Sequence, residues 1–193
     1  MCDPAESNGR RQFAGSRSRP RKTEPGTMTS ASISRMSDHH TWLQQLPVDD
    51  RQRAEQIVTA LHELGCDDPQ GWCESEISEN IPQLARYRFL HDLWPRMIDV
   101  WRDGISKIPA ARRAIDSGAR LDDVAQVARA VAYETIFAML AHIADTESGE
   151  RLPRWALEEV DAAGQPTGRY LGTLQEDLLS LDPSGHGSQD LWT

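Results

Sequence analysis

Apolar positions recur at helical spacing along most of the chain, and the breaks between stripes mark the elements. In "DDRQRAEQIVTALHELG", Ala54, Ile57, Val58, Leu61 and Leu64 fall on one face, with Asp49 as a cap, Gln52 three residues on and Gly65 as a stop. Before it, "SDHHTWLQQLP" reads as a short helix ended by Pro47. Asp68 and Pro69 open the next helix, which runs through Trp72 to about Glu79. In "NIPQLARYRFLHDLWPRMIDVWRDGI", Pro82 starts a helix and Pro95 must kink or break it. Leu84, Tyr87, Leu90, Trp94, Met97, Ile98 and Trp101 share its broad apolar face. Arg88, Asp92, Arg96 and Asp99 share the other, alternating in sign like a solvated ion-pair stripe.

A short helix spans about Pro109 to Ser117 and ends at Gly118. "LDDVAQ" then opens a long helix with Asp123 as cap. Val124, Val127, Ala128 and Val131 line one side, and Tyr133, Ile136, Phe137, Leu140 and Ile143 the opposite one. A helix apolar nearly all round is expected at the centre of the core. The period then changes. "RWALEEV" and "GRYLG" flank the Gly/Pro-containing "DAAGQPT", predicting a hairpin at about 154–171. "TLQEDLLSL" follows with a Thr173/Glu176 capping box and a Leu174, Leu178, Leu181 stripe. The expected fold is α+β, predominantly α: a single-domain helical core with a C-terminal β-hairpin and a short final helix.

Composition sets the boundaries. Residues 1–36 are rich in Ser, Arg, Gly, Pro and Thr and contain almost no large apolar side chains, so a disordered basic tail is expected. Met28 and Met36 offer alternative starts. The mostly helical domain is expected over 37–182, and 183–193 as a loose C-terminal tail except for Trp192. The net charge is −9; the stretch Met1–Ser37 has seven basic and three acidic residues, hence +4, which leaves −13 for the rest. So acidic a body repels phosphates, which argues against nucleic acid and suits a basic protein partner. Of 21 basic residues only Lys22 and Lys107 are lysines, a bias that fits a GC-rich, bacterial genome. Three cysteines (Cys2, Cys66 and Cys73) without close pairing suit a reducing cytoplasm and form no zinc pattern. No apolar run is expected to reach the length of a membrane span, and no signal-peptide core is seen, so a cytoplasmic protein is expected.

Candidate chemistry begins with Glu134, a carboxylate inside "ARAVAYETIFAMLAHIAD". On a buried helix it needs a partner, and Arg86 or His91 is expected to supply it, fixing how two core helices sit. An alternative groups Glu134, His91, His142 and Asp145 as metal ligands, but the Glu-x-x-His pair of helical-bundle metal sites is missing, so no metal and no cofactor is expected. There is no Gly-x-Ser-x-Gly, no P-loop and no dinucleotide fingerprint.

Arg86 and His91 also form Arg-x4-His in "RYRFLH". These six residues resemble the short motif of the HEPN helical ribonucleases, whose paired Arg and His act at a dimer cleft; Tyr87 stands where that family often has a polar residue. The resemblance implies a ribonuclease using Arg86 and His91, with Glu134 as a third candidate. The hairpin offers a different site: Glu158, Glu159 and Asp161 beside Trp155 and Tyr170, aromatics rimmed by acid of the kind that bind a basic protein. The expected function is a small acidic protein-interaction or inhibitor/immunity-type module; the alternative is the helical hydrolase or HEPN-like ribonuclease.

Overall fold

In the computed structural model, residues 39–145, 154–184 and 189–192 are described. The expected disordered tail lies outside them. The fold is α+β and predominantly α, a helical body carrying one two-stranded antiparallel hairpin near its C-terminus.

Helix α1 covers residues 39–45, and α2 (Val48–Glu63) follows after Pro47. The expected Asp49 cap is not used: the helix starts two residues earlier, at Val48 after Pro47, and Asp49 and Asp50 sit in its first turn, where the dipole favours acids. Ala54, Ile57 and Leu61 are buried as their spacing predicts. Gly65, at φ +78°, ends the helix in a backbone region that suits glycine, and the Cys66 N–H donates to Leu61 O at 3.0 Å. Helix α3 (Pro69–Glu79) is capped by Asp68, whose carboxylate accepts from the Gly71 N–H at 3.2 Å. These helices and the first half of α4 (Gln83–Leu93) close around Ala54, Ile57, Leu61, Cys66, Cys73 and Tyr87.

Pro95 acts as expected. It cannot donate to the helix ladder, and the chain accommodates it with a π turn over Trp94–Ile98, in which the Asp99 N–H reaches Trp94 O at 2.7 Å. The wide turn rotates the following residues. Trp94 and Ile98 become fully buried, whereas Met97 emerges 48 % exposed, against the expectation that it shares their face. Trp94 Nε1 donates to Leu178 O at 3.0 Å, so the ring's one donor is satisfied inside the core. Asp99 leaves the solvated stripe: its Oδ1 accepts from Arg129 Nε at 3.0 Å and lies 2.7 Å from Nη2 in an ion pair, and Arg129 is buried.

After α5 (Val100–Gly104), a 3-10 turn and α6 (Pro109–Asp116) comes α7 (Leu121–Ala144). It buries only one stripe: Ala125, Arg129, Tyr133, Ile136 and Leu140. Val127 and Val131 remain 65 % and 60 % exposed. The expectation of a helix buried all round is therefore corrected; too few described elements surround α7 to cover its second apolar face. α7 is also long and apolar enough to cross a membrane by length and composition alone, because a window of that kind tolerates the two charges, Arg129 and Glu134, that break the apolar run.

Strands β1 (Glu158–Val160) and β2 (Pro166–Tyr170) form the hairpin, with Glu158 opposite Tyr170 and Val160 opposite Pro166. The second strand spends more residues than the first over that interval, and Gly168, at φ +77°, takes up the bulge. Helix α8 (Leu174–Asp177) is shorter than the capping box suggests; Thr173 adopts φ 48° and caps nothing. Its Leu174 and the following Leu178 still fill the core beside Leu90, Trp94, Tyr133 and Leu140. Leu191, in α9 (Gln189–Trp192), joins the same cluster at 3 % exposure, while Trp192 points outward. The sequence singles out Trp192 in this segment, whereas the buried residue there is Leu191.

Candidate binding groove

Glu76, on α3, is a fully buried carboxylate, 2 % exposed. Its Oε2 accepts the Leu84 N–H at 2.8 Å, at the start of α4. Its Oε1 accepts from Arg53 Nη2 on α2 at 2.8 Å and from Arg169 Nη1 on β2 at 2.9 Å. One side chain thus ties three helices to the hairpin. Arg169 continues the chain with a two-pronged contact to Glu159 on β1, at 2.6 and 2.8 Å. Burial opposes the guanidinium charge, but the hydrogen bonds and charges of Glu76 and Glu159 outweigh it and push its pKa above the ordinary arginine value. The hairpin is held against α3 by this network.

That anchoring leaves an open groove of about 960 Å³ between the end of α2, α4 and β1. Leu64, Leu84, Phe89, Leu93, Leu157 and Val160 give it apolar walls. Glu63 and Glu158 stand among its lining residues with Arg88. Asp92 is spoken for by Arg96 at 3.3 Å, and Glu159 by Arg169. Glu55 continues the acidic side along α2, in a shallow depression that shares Ala60 and Glu63 with the groove.

The backbone of β1 adds a second kind of partner. The Leu171 N–H donates to Leu157 O and the Asp161 N–H to Gln165 O, both at 2.8 Å. These bonds bracket the Glu158/Tyr170 and Val160/Pro166 pairs, which are therefore the non-hydrogen-bonded positions of the ladder. The N–H and C=O groups of Glu158 and Val160 point away from β2. The sheet has only two strands, so among the described residues no strand lies on that edge.

The hairpin residues expected to form one patch are divided between two places. Glu158 and Glu159 line the groove. Trp155 and Tyr170, both exposed, line a separate cleft of about 480 Å³ beside Ile143 and Ala144 at the end of α7. The Trp155 ring lies 5.2 Å from that of His142, and its Nε1 donates to His142 O at 3.4 Å. Asp161 builds the turn: its Oδ1 accepts the N–H groups of Ala163 and Gln165, each at 2.8 Å.

Arg86, His91 and Glu134 are not brought together. Arg86 is buried and donates to Gly172 O and to Asp177 on α8. His91 stacks on Tyr87 at 5.8 Å and lies 3.9 Å from Asp92. Glu134 is exposed, and no ion pair joins it to either residue among the described ones. The expected Glu134–Arg86 or Glu134–His91 pair is thus corrected: Asp177 takes the cation, because Arg86 faces α8 and Glu134 lies on the far side of α7 from the core. A buried Arg already committed to a carboxylate also leaves the Arg-x4-His motif without an open cleft. No group of three or more His, Cys, Asp or Glu side chains able to hold a metal occurs among the described residues.

Glu76 carried the same signal in the sequence as Glu134, a carboxylate on an apolar stripe, here with Trp72, Cys73 and Ile77. The edge of β1 and its groove carried none, since a groove exists only once the elements are placed. Compared with known proteins, the chain matches no family model, no curated protein and no solved structure.

Proposed function

We propose that the protein is a small acidic interaction module that captures an extended segment of a basic protein in the groove between α4 and β1. The observation that carries this reading is the outward edge of β1, whose Glu158 and Val160 backbone groups lie unpaired by any described strand beside apolar walls. An added strand would pair with those groups and lower alternate side chains between Phe89, Leu93 and Leu157. Lysine or arginine side chains of that strand would meet Glu63 and Glu158, and the −13 charge outside the first 37 residues would speed their approach. Inhibitor and immunity-type proteins are the kind of module this chemistry suits. A bacterial, cytoplasmic setting belongs to the same reading, supported by the arginine bias and by Cys66 and Cys73 as free thiols.

The test is a displayed peptide library panned on the full chain, with Val160→Pro as the control. The Val160 N–H faces away from β2, so proline there removes an outward donor and leaves the hairpin ladder intact. The expected result is enrichment of alternating apolar and Lys/Arg sequences whose binding is lost in Val160→Pro while the far-UV spectrum is unchanged. Binding that survives Val160→Pro, or enrichment of acidic peptides, refutes the reading.

A further inference from the structure

Helix α7 presents two apolar faces, and the core uses one. Opposite the buried stripe of Ala125, Arg129, Tyr133, Ile136 and Leu140 run Val127, Val131, Glu134, Ala138 and Ala141, with Val124, half-buried against the Ile105, Ala111 and Ala125 cluster, at the edge of the face. Their spacing alternates three and four, the a/d pattern of a coiled-coil seam. Val127, Val131, Glu134 and Ala138 are exposed, and only 22 % of the helix's most apolar 18-residue window is buried. Apolar side chains gathered on one outward helix face mark an interface.

We propose that this face joins two copies of the chain, with α7 packed antiparallel on α7 of the second copy about a dyad between Ala132 and Tyr133. Side-chain size and charge select this arrangement. It sets Val124 against Ala141 and Val127 against Ala138 of the second copy, large against small, so the helices approach closely. At both ends it brings Arg120, which lies 3.9 Å from Asp123 of its own chain, opposite Asp145 of the second copy, so that like charges do not meet there. Parallel pairing would instead place Val on Val and Glu134 on Glu134. Sliding the antiparallel pair by one heptad would uncover layers and part the end charges. Glu134 faces Val131 of the second copy near the dyad, a polar interruption that fixes register at a cost in affinity. A lipid surface suits the face less: Glu134 sits at its middle, Asp122 and Asp123 at its start, and it carries no lysine. One helix pair lies at the small end of specific interfaces, so the association is weak and reversible. No α7 residue lines the α4/β1 groove, so the two sites are independent.

Sedimentation velocity on the full chain from low to high micromolar concentration tests the proposal. The expected result is a concentration-dependent dimer that Val127→Glu with Val131→Glu abolishes, at unchanged circular dichroism and thermal midpoint because both side chains are exposed. Glu134→Ala should tighten the dimer by at least about tenfold, since a charge no longer has to be desolvated. Register is read in a Cys2→Ser background: a mixture of the Val127→Cys and Ala138→Cys proteins should cross-link with a short bis-maleimide, and neither alone. A chain that is monomeric throughout, with or without Glu134→Ala, overturns the proposal. So do cross-links between identical positions, or co-sedimentation with phosphatidylcholine/phosphatidylglycerol vesicles that Val127→Glu with Val131→Glu removes.

Discussion

Replacing Glu76 by Gln removes one charge and almost no volume, and it should be among the most damaging conservative changes in this protein. Both carboxylate oxygens are committed: Oε2 to the Leu84 N–H, and Oε1 to Arg53 and Arg169 together. An amide has one oxygen. If that oxygen stays on the arginines, the NH2 group confronts the Leu84 N–H; if it turns to Leu84, the NH2 group confronts two guanidinium groups. Either rotamer sets donor against donor at a site 2 % exposed. Arg53 is 38 % exposed and can turn to water, so its share of the loss is small. Arg169, at 16 %, cannot turn away without breaking its contact with Glu159 and loosening the hairpin. Breaking a buried pair by removing one partner costs ~3–5 kcal/mol, against a total stability of ~5–15 kcal/mol for a domain. Urea unfolding followed by circular dichroism should therefore show a midpoint shifted down by a large fraction, with little change of slope. A cycle with Arg169→Gln should give a coupling of about 1–3 kcal/mol. A loss below about 1 kcal/mol for Glu76→Gln would mean that water satisfies the arginines and that the network does not hold the hairpin.

Two further outcomes follow from the core. Trp94→Ala should cost ~3–5 kcal/mol, since it empties a fully buried ring site and orphans Leu178 O; a midpoint within error of the parent would refute the core role. Burial pushes the Cys73 thiol from 9.0, and the Tyr87 hydroxyl from 10.0, up to about 12 each. Above pH 9 the unfolded chain releases these protons first, so the stability they lend is complete below pH 9 and is lost as pH rises towards about 12. Urea midpoints should fall over that interval and fall less in Cys73→Ala; a flat profile would contradict the burial.

Local chemistry determined most elements. Pro47, Pro69, Pro82 and Pro95 restrict their own backbone and remove donors whatever surrounds them, and helix starts or a π turn lie at each. The period-3.6 stripes put Ile57, Leu61, Leu90 and Trp94 in the core, and the Gly/Pro-rich break before Gly168 put a hairpin where one forms. Which of two faces is covered was not decided locally. Glu76 and Glu134 each interrupt an apolar stripe, but among the described residues only Glu76 meets cations, because α2 and β2 bring Arg53 and Arg169 to it from 23 residues before and 93 after. Arg86 likewise found Asp177, 91 residues on, and not Glu134. The groove depends on the same distant placement, since α4 and β1 are separated in the sequence by the whole of α7. Periodicity reports what one segment would bury; the partner that buries it is a property of the whole chain's packing.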